Sequence, residues 1–175
     1  MTLTRIKHQI LSVMVLTISS GFSPVQAATA TATLTMNANF SAPPCTVTVP
    51  GNIFLGAILP GEKIYPSFTV DVNCTSATRA ALYAEPASGE PLISGMTTRI
   101  EMSGPAGVAG TPAQFWLNTE GKEIDLTGTG ATDTARTFCE GTDSRGCTLT
   151  PATQVVMDTP KGQTTATIRI GIMYP

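Results

Sequence analysis

Apolar and polar residues alternate along much of this chain, most regularly over residues 28–40. Ala28, Ala30, Ala32, Leu34, Met36, Ala38 and Phe40 share one parity, and Thr29, Thr31, Thr33, Thr35, Asn37 and Asn39 the other. A period of two predicts extended backbone with one apolar face, and no glycine or proline interrupts it. The run is roughly twice the common strand length of about 5–6 residues. It therefore specifies more than one ordinary strand.

Beyond Pro43-Pro44 the same pattern recurs in shorter pieces. Cys45, Val47 and Val49 alternate with Thr46 and Thr48, and Phe68, Val70, Val72 and Cys74 alternate with Thr69, Asp71 and Asn73. Weaker strand candidates lie at 80–84, 98–102, 114–118, 123–126 and 153–157. Glycine- and proline-rich turns separate them, among them SGEPLISG (88–95) and SGPAGVAGTP (103–112). The last candidate, 164–174, is strong. Ala166, Ile168, Ile170, Ile172 and Tyr174 line one face, and Thr165, Thr167, Arg169, Gly171 and Met173 the other. No segment carries a helical period. Short strands at regular turn spacing predict an all-β sandwich without internal repeats.

The first 27 residues do not belong to that pattern. Arg5 and Lys7 form a positive start, and Ile10 through Ile18 a short apolar stretch, far below the roughly 20 residues of a membrane span. Val25-Gln26-Ala27 supplies a small-residue cleavage site, so 1–27 reads as a secretory signal peptide. Cleavage leaves 148 residues, one ordinary domain. Eight basic residues then face twelve acidic ones, for a net charge of −4. A nucleic-acid binder needs a basic patch and finds none here. The only histidine, His8, leaves with the signal peptide. Ser-His-Asp triads, Cys-His pairs and histidine-containing zinc sites are thereby excluded from the mature chain.

Cys45, Cys74, Cys139 and Cys147 all remain after cleavage, and export makes disulfides the expected state. Of three pairings, the order suggests Cys45–Cys74 and Cys139–Cys147, the second closing the compact loop CEGTDSRGC. Loop entropy assigns these bridges about 3.5 and about 2.5 kcal/mol. A metal held by four thiolates is the competing idea, and the spacings fit no CxxC knuckle. The expectation is no metal and no cofactor.

Three other features invite chemistry. Glu120, Glu123 and Asp125 cluster, and a glycosidase needs only two carboxyls; on a short strand and turn they read as a solvated face. Trp116 reads as a buried residue rather than a sugar-stacking platform. The 139–147 loop reads as a rigid hairpin, with Glu140, Asp143 and Arg145 available for a receptor. Catalysis is not expected.

The mature chain as a whole resembles the subunits of bacterial chaperone–usher fimbriae, the pilins. The resemblance rests on an exported β domain with an alternating N-terminal extension, the segment Pro43-Pro44-Cys45-Thr46-Val47, and a cysteine closing Phe68–Cys74. It rests also on Gly162, fourteenth from the end, and on Tyr174, next to last. It implies an immunoglobulin-like sandwich of six strands lacking the last, with 41–175 as the pilin domain. Residues 28–40 would be a donor strand running into the first strand, with Ala30, Ala32, Leu34, Met36 and Ala38 entering a neighbouring subunit. Gly162, Ile168, Ile170, Ile172 and Tyr174 would face first a periplasmic chaperone and then, at an outer-membrane usher, the next subunit's extension. The implied product is a surface fimbria contributing to adhesion, or an adhesin subunit that binds a host receptor. Two features depart from the family pattern. The donor segment carries no glycine, and the chain ends in Pro175, which lacks a backbone donor. Because the pattern repeats every two residues, the donor register is open by two either way.

Overall fold

The computed structural model describes residues 44–87 and 89–175. The expected signal peptide and the 28–40 extension, with Ala30, Ala32, Leu34, Met36 and Ala38, lie outside the described residues. The chain forms β1 (Cys45–Thr48), β2 (Gly61–Ile64), β3 (Phe68–Cys74), β4 (Ala80–Pro86) and β5 (Ile100–Glu101). There follow β6 (Gln114–Thr119), β7 (Lys122–Glu123), β8 (Phe138–Gly141), β9 (Arg145–Val155) and β10 (Ile168–Met173). Two single 3-10 turns precede β8. All strand pairs are antiparallel.

The strands form two sheets. The larger runs β1-β3-β9-β6-β5, with β2 also beside β9 and β7 hairpinned onto β6; the smaller runs β10-β4-β8. Their inward faces supply the core. Val70, Val72, Phe115, Leu117 and Leu149 come from the larger sheet, and Ala80, Leu82, Ala84 and Phe138 from the smaller. Each large apolar side chain so buried contributes about 1.5–3 kcal/mol.

More strand segments form than the six expected, for local reasons. Pro50 and Pro60 interrupt what would be one long first strand, so β1 pairs with β3 and β2 pairs with β9. β2 is exposed throughout and carries no alternation that a sequence reading could use. β9 extends far upstream of the expected 153–157 segment. Pro151 conceals its continuity, yet it falls where the partner of β9 changes from β3 to β2, so its missing N–H breaks no ladder.

Two disulfides join Cys45 to Cys74 and Cys139 to Cys147. The first ties directly opposed residues of β1 and β3. The second overturns the hairpin reading of 139–147, because β8 belongs to the smaller sheet and β9 to the larger. The bridge spans the turn where the chain crosses between sheets. Arg145 fills that turn, donating to the carbonyls of Cys139 (2.8 Å), Asp143 (2.8 Å) and Ala80 (2.6 Å). Trp116 is buried as expected, but on the face of β6 opposite to Phe115 and Leu117. The Arg99 guanidinium covers it, 3.8 Å from the ring centroid.

Candidate functional site: an open slot between β1 and β10

In an antiparallel ladder the N–H and C=O of one residue point to the same side, and successive residues alternate sides. The Pro44 carbonyl accepts the Thr75 N–H at 2.8 Å. Pro44, Thr46 and Thr48 thus turn toward β3, and Cys45 and Val47 turn the other way. The Cys45–Cys74 Cα separation of 4.0 Å fits a pair that exchanges no backbone hydrogen bonds. On β10, the Thr167 carbonyl accepts the Ala87 N–H at 2.8 Å. That parity turns the backbone of Arg169, Gly171 and Met173 toward β4, and the backbone of Ile168, Ile170 and Ile172 away from it.

Those three isoleucines are half-buried and pack on the core. One set of residues therefore presents both apolar side chains and outward backbone groups along the same edge. β1 and β10 lie against each other, yet they belong to different sheets and do not pair. Among the described residues no strand covers this edge of β10 or the outer edge of β1. The strip between these two unpaired edges, here termed the slot, carries the isoleucines and Val47 packed on the core, with their backbone groups turned outward from the paired strands.

The two ends of the slot differ. At one, the Tyr174 hydroxyl accepts the Cys45 N–H at 3.3 Å and donates to the Cys45 carbonyl at 3.1 Å. Upstream of β10 lies a cavity of about 430 Å³, lined by Ile58, Met102, Pro105, Val155, Gly162 and Thr164. Gly162 has φ of 148°, and a Cβ there would stand 2.8 Å from the Pro105 ring, so only glycine suits the position. Ser103 and Thr165 exchange backbone hydrogen bonds of 2.8 and 2.9 Å, which fixes the approach to β10. On the opposite face of β10, the Tyr83 ring occupies the space a Cβ on Gly171 would need. Arg169 pairs outward with Glu85 at 2.8 Å.

The other candidates are not brought together into a site. Glu123 accepts from Thr98 and Arg99 at 2.5 Å each. The Arg99 hydrogen bond is the main reason its carboxyl lies below the ordinary value, against partial burial and with help from Thr98 and the Arg99 charge. Burial would raise Asp125, but hydrogen bonds from Thr127, Arg136 and Thr97 together lower it. Neither is held protonated, the state a glycosidase acid requires. Glu120 sits apart in the tight β6–β7 turn, with φ of 50° beside Gly121 at 76°, the left-handed pair of a type I′ hairpin. In the 139–147 segment Arg145 is spent on carbonyls and Glu140 is paired with Arg79, leaving Asp143 outward. Among the described residues no cluster of three or more potential metal ligands occurs.

Sequence reasoning had singled out Gly162, Tyr174 and the isoleucines, and the structure places all of them along the slot or at its ends. It missed the upstream cavity, the Tyr83–Gly171 contact and the outward backbone of Val47. Only the parity of Val47 relative to Cys45 was available as a signal.

No protein-family model matches the chain, and no curated protein matches it. Among solved structures, the chain is similar to the P pilus rod subunit PapA, with a TM-score of 0.54 and 14 % identity, covering 75 % of this chain and 99 % of that one. It is also similar to the structure of a chaperone–usher pilus, with a TM-score of 0.56 and 11 % identity over 83 % of this chain and 96 % of that one. The fold is that of pilus subunits, an all-β immunoglobulin-like sandwich.

Proposed function

We propose that this chain is a structural subunit of a bacterial surface fimbria, polymerised by adding residues 28–40 of one copy to the slot of the next. The observation that carries this reading is the unpaired edge of β10, where Ile168, Ile170 and Ile172 combine half-buried side chains with outward backbone. Such an edge is an aggregation hazard unless covered, and the alternating 28–40 run has the complement it needs. Ala30, Ala32, Leu34, Met36 and Ala38 would seat on the slot floor while their backbone completes both walls, as in strand addition generally.

The same exposed edge calls for a temporary cover during export, which is the part of a periplasmic chaperone lending a strand along Ile168, Ile170, Ile172 and Tyr174. An outer-membrane usher would then oversee exchange for the next subunit. The protein acts by assembly and contributes to adhesion as part of the fibre, without catalysis. Its partners are neighbouring subunits, the chaperone and the usher.

The test is thermal unfolding of the mature chain lacking residues 28–40, refolded with and without a peptide of that segment. At peptide concentrations about a thousandfold above Kd, the melting temperature should rise by about 10 °C. The complex should also dissociate slowly. A truncated domain that melts at the same temperature with and without peptide would overturn the reading.

A further inference from the structure

We infer that Tyr174 is the end stop of the slot, the residue that fixes the register in which an added strand seats; this rests on the strand-addition reading. The need for a stop comes from the sequence of the donor itself. A strand with one apolar face can slide by two residues without turning that face outward. In the first half of 28–40, such a slide exchanges Ala28 for Ala30 and Ala30 for Ala32. Within that half side-chain fit cannot tell the registers apart, and only the second half, with Leu34, Met36 and Phe40, distinguishes them by size. A fixed end to the slot adds to that discrimination.

Tyr174 has the geometry for this. Cys45 and Val47 are the residues of β1 whose backbone groups face the slot. The Tyr174 hydroxyl occupies both groups of Cys45, at 3.3 and 3.1 Å, and among the described residues nothing pairs with Val47 on that side. A strand entering the slot gains two hydrogen bonds at Val47 at no loss. To go one pair further it must break two bonds at Cys45 in order to form two, and must lift the ring from the mouth. The exchange brings no net hydrogen bonds, so insertion halts at Val47. Cys45 cannot move to accommodate a longer strand, since it is 2 % exposed and disulfide-bonded to the residue opposite it. A tyrosine at the end of β10 thereby acts as a ruler on a strand contributed by another molecule.

The test uses the full mature chain, residues 28–175, as wild type and as Tyr174→Phe, each carrying photo-leucine in place of Leu34. Subunits are assembled, irradiated and digested, and cross-links from position 34 are mapped by mass spectrometry. Backbone amide exchange at Cys45 and Val47 is read before and after assembly. In the wild type, one cross-link position is expected. The Val47 amide should slow by at least about tenfold on assembly while the Cys45 amide is unchanged. In Tyr174→Phe, a second cross-link position should appear two residues along β10, and the Cys45 amide should slow on assembly. The wild-type exchange pattern decides the matter even if the variant does not fold, since a slowed Cys45 amide there means the strand passes the clasp. A variant that keeps the single wild-type cross-link overturns the end stop alone. A wild-type chain that does not assemble overturns strand addition itself, and the end stop with it.

Discussion

Glu123 is clasped between Thr98 and Arg99, and Arg99 in turn covers Trp116 and donates to Gln154 at 3.2 Å. One carboxylate thus holds a buried indole in place through its partner. Because the carboxyl is lowered in the folded state, it contributes stability that is fully present above the unfolded carboxylate range, near about 4. That contribution is lost as pH falls through the lowered folded value. Urea unfolding of Glu123→Gln should therefore show about 1 kcal/mol less stability than wild type at pH 7, a figure discounted for partial exposure. The gap should narrow as pH falls below the unfolded carboxylate range, near about 4; a gap that persists unchanged in acid would sink the assignment. This cluster was not legible in the sequence. Residues 98–99, 116, 123 and 154 meet only through sheet pairing, and no spacing announces it. Gly162 and Tyr174 stood out only through the resemblance to pilins. Their physical reasons, a backbone only glycine adopts and a hydroxyl shared by two backbone groups, needed three-dimensional partners.

Among the elements, β3 and β10 were readable because strict alternation over a half-buried sheet leaves its mark on every residue. β2, β8 and the first half of β9 were not. β2 has no buried face to write a pattern, and the cysteine-bounded turn hides the switch from β8 to β9. β10 carries the consequence for the proposed strand addition. Ile170 sits at the middle of its free edge, half-buried in the isolated domain and fully coverable by an added strand. Ile170→Asn should cost the domain itself about 1–2 kcal/mol, a shift of a few degrees in melting temperature. It should also speed dissociation of the 28–40 peptide by at least tenfold, about 1.4 kcal/mol. Equal losses in both measurements would mean that Ile170 serves the core alone. The parity that aims its side chain inward also aims its backbone outward, so one substitution probes the seat without touching the β4 ladder.

At the scale of the molecule, the fold class followed from the density of short alternating runs, but the relation between the sheets did not. The 139–147 segment read as a hairpin, and instead it carries the chain from one sheet to the other. Replacing Cys139 and Cys147 by serine should lower stability by about 2.5 kcal/mol from loop entropy, measured by urea unfolding of oxidised protein. A change under about 0.5 kcal/mol would mean that Arg145 alone holds the crossing. That covalent stitch lies between β8 and β9, whereas β10, at the other edge of the smaller sheet from β8, meets β1 with one tyrosine between them. The sandwich is built like a book, stitched at one margin and, between β1 and β10, fastened among the described residues by one tyrosine clasp. Under the proposed strand addition, thermal breathing parts the leaves at the clasp, where a strand would enter, rather than at the covalent stitch.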